Sequence, residues 1–383
     1  MSATVSNAAT QAAQVAQANI AARNNLIANS IYTRKRQANV TNIDPNSNPS
    51  LTYSIPLQSI GLITSVDLDI TLNFTAGATA ATPNVGAPYN SIQNVGFVDQ
   101  SSIQRSSMSG RMLYDLMSMV TGGVNGVSPW NAAIALSQGG GEIPTISFPA
   151  IPNIAANGNG TVTFRLHLPI SRSSYDLTGG VILQTGQNST PAVVNLNFAT
   201  VFGGTAETLY NNAVTLTSGT ISVRQNYWTM MNPGIALPAL DLASINYMWE
   251  TAADSSNLVA GQQKEVQLQI QYTTDLVAVR YFNGTSYEQG GDISYFEDWL
   301  GNFLVNDSSP NQRYQDYRLN HGYDAAPGLY WGDFRNNPIK NANLGLYLWK
   351  ITPSTVNANA KINTFYRQIR PVQAMGGAQP SVA

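Results

Sequence analysis

The chain has 383 residues, of which only 10% are charged and none is cysteine. Lys and Arg total 19 against 21 Asp and Glu, a net charge of −2. The missing cysteines exclude a disulfide framework, a thiolate nucleophile and a Cys-ligated zinc or iron–sulfur site, and the charge balance argues against a whole-surface nucleic-acid binder.

Two histidines, His167 and His321, leave little for imidazole chemistry. No apolar run approaches the roughly 18–20 residues that span a bilayer. Gln and Asn interrupt every apolar stretch before Tyr32, so the start does not read as a secretory signal. Asn, Gln, Ser and Thr supply most of the polar character. A surface so poor in charge suits a protein packed against copies of itself, although lectins and adhesins share the composition.

Residues 1 to about 36 are rich in Ala, Gln and Asn, with no Pro or Gly. Val5, Ala9, Ala13, Ala16, Ile20, Ile27 and Ile31 recur at helical spacing, which predicts a helix reaching about 45 Å. Its end, Tyr32-Thr33-Arg34-Lys35-Arg36, is basic. Residues 1–43 hold Arg23, Arg34, Lys35 and Arg36 and no acid, so +4 sits there and −6 on the rest. Such a tail is either a solvated helix end with cations at the C-terminal dipole or an arm that docks on an anionic surface.

From about residue 50 the period changes to two. Leu51, Tyr53, Ile55 and Leu57 alternate, and Val66, Leu68, Ile70, Leu72 and Phe74 do so strictly with Asp67, Asp69, Thr71 and Asn73. Val162, Phe164, Leu166 and Leu168 follow, then Val194, Leu196 and Phe198, then Val214 and Leu216, then Ile221 and Val223. These predict half-buried antiparallel strands. Asn157-Gly158 and Asn159-Gly160 mark a turn, and Gly110 to Val120 reads as a helical interruption. Asn232-Pro233-Gly234 and Leu237-Pro238-Ala239-Leu240-Asp241-Leu242 read as a joint.

Strands resume with Val266, Leu268, Ile270 and Tyr272 and with Asp275 to Phe282. Two helices are predicted next, Asp292 to Val305 and Pro310 to His321. In the first, Asp292 is the N-cap and Tyr295, Phe296, Trp299, Leu300 and Phe303 form the apolar side. The last strands are Gly328 to Gly332, Leu344 to Ile351 and Lys361 to Ile369, before a Gly/Ala/Gln tail. The pattern is all-β in two halves, each with a helical insertion between early and late strands, and two eight-stranded jelly rolls fit it.

Catalytic signatures are missing. There is no phosphate loop, H-E-x-x-H, G-x-S-x-G or EF-hand spacing, and Gly139-Gly140-Gly141 reads as a flexible loop. His167 falls on the polar face of a strand, and His321 falls at a helix end before Gly322. Asp67 and Asp69 share a strand face at a spacing that calcium could use, but that face is simply the solvent side. Glu250, Glu297 and Asp298 show no pairing that glycosyl or acyl transfer would need. Asn73 and Asn283 head chance sequons. Trp228, Trp249, Trp299, Trp331 and Trp349 read as core or interface packing.

Several short segments, in order over nearly the whole chain, resemble the double jelly-roll major capsid proteins of tailless, internal-membrane-containing icosahedral phages of the tectivirus kind. They are Tyr175-Asp176-Leu177-Thr178-Gly179-Gly180-Val181, Leu237-Pro238-Ala239-Leu240-Asp241-Leu242, Asp292-Ile293-Ser294-Tyr295, Gly328-Leu329-Tyr330, Asn337-Pro338-Ile339 and Val356-Asn357-Ala358-Asn359-Ala360. The Ala/Gln-rich start resembles the family's N-terminal helix. The loops 77–93 and 121–141 lie outside the resemblance.

The resemblance implies a helical basic arm (1–43), a first jelly roll (44–235), a second (236–372) and a flexible tail (373–383). Pro233, Pro238 and Asp241 would mark the inter-barrel joint. It implies homotrimers whose six barrels make pseudo-hexagonal capsomers of a virion shell assembled in the host cytoplasm. Partners would be neighbouring capsomers, minor capsid and vertex proteins, and the internal membrane. Arg23, Arg34, Lys35 and Arg36 would face that membrane, at about 1 kcal/mol per charge near anionic lipid. No catalysis, cofactor, metal or specific nucleic-acid binding is expected, and the barrels are expected to fold without residues 1–36. The alternative is a β-sandwich receptor- or carbohydrate-binding protein of the lectin or adhesin type.

Overall fold

The computed structural model describes residues 21, 24–26, 28–84, 86–115, 151–172, 177–183, 190–231, 244–268, 272–287, 291–321, 326–334 and 347–371. In the first half, β1 (Ser30–Ile43), β9 (Val214–Met230), β3 (Leu62–Ala76) and β6 (Asn159–Pro169) lie side by side in that order, with the short β7 (Val181–Ile182) also on β3. Facing them run β2 (Thr52–Pro56), β8 (Val193–Phe198), β4 (Ile92–Val98) and β5 (Gln104–Met108). In the second half, β10 (Ser244–Glu250), β17 (Lys361–Pro371), β12 (Thr273–Phe282) and β15 (Leu329–Asp333) are neighbours. The remaining sheet is β11 (Lys264–Leu268), β16 (Tyr347–Pro353), β13 (Ile293–Leu300) and β14 (Phe303–Ser308).

The two halves share one topology. Setting β7 aside and counting the strands of each half from one to eight, both have sheets in the order 1-8-3-6 and 2-7-4-5. That double Greek key is the jelly roll. In both halves the insertion falls between the fifth and sixth strands. Helix starts at Gly110 in the first, with residues 110–115 described, and the helix Pro310–His321 fills the second.

Alternation builds the cores. On β3, Val66, Leu68, Ile70, Leu72 and Phe74 are each at most 1% exposed, and they share a core with Ile55, Val95, Phe97, Val194, Leu196 and Phe198. Burying each such side chain stabilises by about 1.5–3 kcal/mol. In the second half the rings of Phe296 and Trp349 meet edge to face at 5.0 Å, Tyr330 lies 5.4 Å from Phe296, and the Arg313 guanidinium sits 4.0 Å above the Phe296 ring.

Three expectations are corrected. Tyr32 to Arg36 are not a helix end. Helix stops at Asn29, and Ser30–Ile43 pair antiparallel with β9 as the first strand of the first barrel. Ile31, Thr33, Val40 and Thr41 are β-branched, and pairing to β9 overrides the helical spacing upstream.

Asp292 to Val305 is not a helix but the hairpin β13–β14, turning at Gly301-Asn302 with Gly301 at φ +59°. The apolar stripe read for a helix is not realised, since Phe296 is fully buried and Phe303 is 79% exposed. Val214–Leu216 and Ile221–Val223 are parts of one strand, β9. Gly219 does not turn the chain; a Cβ there would lie 2.5 Å from the Thr71 carbonyl oxygen, so glycine lets β3 approach closely.

Removing residues 1–36 would therefore take half of β1 and Leu26, which is fully buried against Leu62, Leu177 and Trp228. We expect this truncation to abolish or broaden the cooperative thermal transition measured by circular dichroism. An unchanged melt would restore the reading of a dispensable arm.

Candidate functional site

The two jelly rolls meet along a seam. β5 of the first pairs with β10 of the second, Ser106 opposite Met248 and Ser107 opposite Trp249, the one parallel pairing among the described strands. It joins two four-stranded sheets into one of eight, β15-β12-β17-β10-β5-β4-β8-β2. Around it lies much of the chain's scarce charge, buried.

Asp275, 1% exposed, occupies a bulge of β12 where it has no partner on β17. The bulge re-aims its carboxylate. It accepts from Arg367 Nε at 2.8 Å and Nη2 at 2.9 Å, and from Arg172 Nη2 of the first half at 2.9 Å. A second carboxylate, Asp115, accepts from Arg111 Nε at 3.2 Å and from Arg280 Nη2 on β12. Burial lowers the Arg111 pKa, Asp115 opposes this, and the Arg280 charge adds to it. Both clusters cross the seam, so each holds the barrels in one mutual orientation.

Further contacts cross it. Glu207 of the first half accepts from Lys361 Nζ at 2.6 Å and from the Tyr287 hydroxyl at 3.2 Å. The Ser109 backbone N–H donates to Glu250 Oε2 at 2.6 Å. Arg105 on β5 pairs with Asp99 at 2.7 Å and donates to the Gly179 carbonyl at 3.2 Å. Gly179 is at φ +84°, and a Cβ on it would come within 2.5 Å of Asn246 on β10. Only glycine lets this loop press against the second barrel. Above the seam is an open cleft of about 400 Å³ lined by Arg111, Arg280, Glu207, Glu250, Lys361 and Tyr287. Its cations and acids are largely engaged with each other.

The residues singled out from sequence are scattered. Arg34, Lys35 and Arg36 are exposed on β1, the edge of its sheet. Arg34 lies 5.8 Å over the Tyr32 ring, and Arg36 Nε donates to Ser222 Oγ at 2.5 Å. Arg23, Pro233, Pro238 and Asp241 fall outside the described residues. Asp67 and Asp69 do not both face solvent. Asp67 is 7% exposed, meets His167 Nδ1 at 2.6 Å and accepts from Asn226 Nδ2 at 3.1 Å. Burial raises its pKa, but His167 and Asn226 outweigh that and bring it below 3.8. Asp69 accepts from Arg165 at 2.5 and 3.0 Å.

Glu250 is the one of these acids that reaches the seam. Glu297 accepts from Trp299 Nε1 at 2.6 Å, and Asp298 pairs with Arg313 at 2.9 Å under the core of the second barrel. Burial pushes Asp298 up against the pull of Arg313. His321 ends the helix Pro310–His321. No group of metal-ligating side chains occurs among the described residues.

Two jelly rolls of one topology, joined through a shared sheet, define a double jelly-roll protein. A family model described as the P3 major capsid protein C-terminal region matches residues 244–373. Over 374 residues the chain is 26% identical to the major capsid protein P3 of Enterobacteria phage PRD1, covering 91% of this chain and 90% of that protein. The solved capsid protein of STIV, the Sulfolobus turreted icosahedral virus, superposes with TM-score 0.65 at 12% identity, over 91% of this chain and 100% of that one. Protein P2 of bacteriophage PM2 gives 0.50 at 11%, over 89% and 98%. The chain is thus a homologue of the PRD1 major capsid protein P3, a structural protein of the virion shell rather than an enzyme.

Buried and exposed ion pairs should behave differently. Asp275→Asn leaves the buried Arg367 guanidinium without its carboxylate and removes the same partner from the partly buried Arg172, and should cost about 3–5 kcal/mol in urea unfolding. Arg165→Gln removes a pair whose arginine side chain is 48% exposed and should cost under about 1 kcal/mol. Equal losses would contradict this account of the seam. Because the native Asp67 pKa lies below its ordinary 3.8, its stabilisation is present above that value and lost as pH falls through the native one. Asp67→Asn should flatten this acid limb of a stability-against-pH curve, and an unaltered limb would assign the loss to other carboxylates.

Proposed function

We propose that three copies of the chain form a pseudo-hexagonal capsomer and that such capsomers tile an icosahedral shell over an internal membrane. One observation carries this: the chain contains two barrels of identical topology held rigidly side by side. Three chains then supply six nearly equivalent barrels, the number a hexagonal tile needs. Self-association into a shell follows from the capsid class. Trimerisation, the membrane, and contacts with neighbouring capsomers and with minor capsid and vertex proteins are this reading's additions.

In this reading the first barrel begins at β1 and the boundary between barrels falls after Met231 and before Ser244. Pro233, Pro238 and Asp241 belong to that linking segment. Arg23 faces the membrane in this reading. The few exposed charges fit a surface that is mostly covered in the particle, since each exposed charge buried against a neighbour would have to be desolvated.

Mass measurement of the pure protein, with negative-stain imaging, tests the reading. The expected result is a trimer with a flat, hexagonal outline. A monomer that binds sugars would sink it in favour of the carbohydrate-binding alternative.

A further inference from the structure

Within the chain, the fifth strand of the first barrel, β5, pairs with the first strand of the second, β10. The corresponding pair is left over. β14, fifth strand of the second barrel, and β1, first strand of the first, both end their sheets with no neighbour among the described strands. We propose that β14 of one copy pairs edge to edge with β1 of the next, repeating the seam between chains and closing three of them into a ring. This rests on the trimeric reading above and names its contact.

The chemistry of the two edges supports the match. All of β14 but its last residue is exposed, including Phe303 at 79%, Leu304 at 48% and Val305 at 58%. A flat apolar edge of this kind invites uncontrolled pairing unless a partner covers it. β1 offers exposed Ile31 and Val40 and the basic run Arg34, Lys35 and Arg36. The hairpin 293–308 has no Lys or Arg; on β14 Asp307 is exposed, and Glu297 lies opposite it on β13, while Asp298 is buried against Arg313. The edges are therefore apolar alike and opposite in charge.

Strand geometry also bears on what the basic run meets. Successive side chains point to opposite faces, so Arg34 and Arg36 share one face and Lys35 takes the other. A lipid surface would engage one face, whereas an edge-on strand lies within reach of both. The contact is heterologous, with different strands on the two sides, and a ring is what such a contact makes when its rotation closes.

The chain has no cysteine, so introduced thiols report without background. In full-length protein, Thr33→Cys together with Leu304→Cys, treated with a short bismaleimide, should give covalent dimers and trimers and nothing larger. Each single variant should give neither, because a heterologous contact places unlike residues together. Mass is measured on the same samples before cross-linking. Trimers that fail to cross-link overturn the proposed seam while the trimeric reading stands; monomers overturn both.

Replacing Arg34, Lys35 and Arg36 with Glu should raise the concentration at which trimers dissociate by about tenfold or more, with the difference shrinking at high salt. Unchanged trimers that lose binding to phosphatidylglycerol vesicles would assign the basic run to lipid and overturn its role at the seam.

Discussion

A sheet edge exposes a row of unpaired N–H and C=O groups, and a protein must pair, cover or charge it. The architecture of this chain depends on one solution to that constraint: β5 and β10 consume each other's edges. The parallel pairing is short. It persists because β12 and β17 behind it, and the helical residues from Gly110 beside it, contribute guanidiniums and carboxylates that bond across the seam. β12 is accordingly buried on almost every residue, and its Asp275 and Arg280 reach Arg172 and Asp115 of the first barrel.

The low charge content takes on a different meaning in this light. Asp99, Arg105, Arg111, Asp115, Asp275, Arg280, Asp298, Arg313 and Arg367 are all buried. A substantial part of a small complement of charge is thus spent inside, in directional pairs, leaving the exterior even poorer than composition indicates. Apolar packing alone would tolerate sliding between two barrels. Charge-assisted bonds from Arg172 to Asp275 and from Arg280 to Asp115 tie the barrels together at defined points, which a repeating shell unit needs. The exposed residue of this arrangement is the apolar β14 hairpin and the basic β1, one at each end of the tandem.

What could be read from the sequence was whatever local periodicity encodes. Strict alternation of Val66 to Phe74 and of Val162 to Leu168 located β3 and β6, and the helix Pro310–His321 and the last three strands lay near where their patterns put them. Reading failed where two periods coincide. Tyr295, Phe296, Trp299, Leu300 and Phe303 satisfy a helical stripe as well as a hairpin, and the discriminating signal was the Gly301-Asn302 pair at its centre. At Tyr32 to Arg36 an upstream helical pattern was carried past β-branched residues that belong to a strand. The alternation of Val214–Leu216 and Ile221–Val223 read as two strands, because nothing local shows that the chain runs on through Gly219, where a neighbour approaches closely.

The seam itself was invisible in one dimension. Asp275 meets Arg172 and Arg367, and Asp115 meets Arg280, over sequence separations that no spacing rule spans. Gly179 stood in a segment singled out by resemblance, yet its purpose, contact with Asn246, emerges only from the packing.

That the two barrels form one cooperative unit through the seam is tested most directly by native-state hydrogen exchange at its amides. Ser106, Ser107, Met248 and Trp249 should exchange as slowly as the interiors of β4 and β17, in a single opening with both barrels. Fast, loop-like exchange at these four residues, with β4 and β17 still protected, would mean two independent barrels merely lying in contact, and would contradict the account.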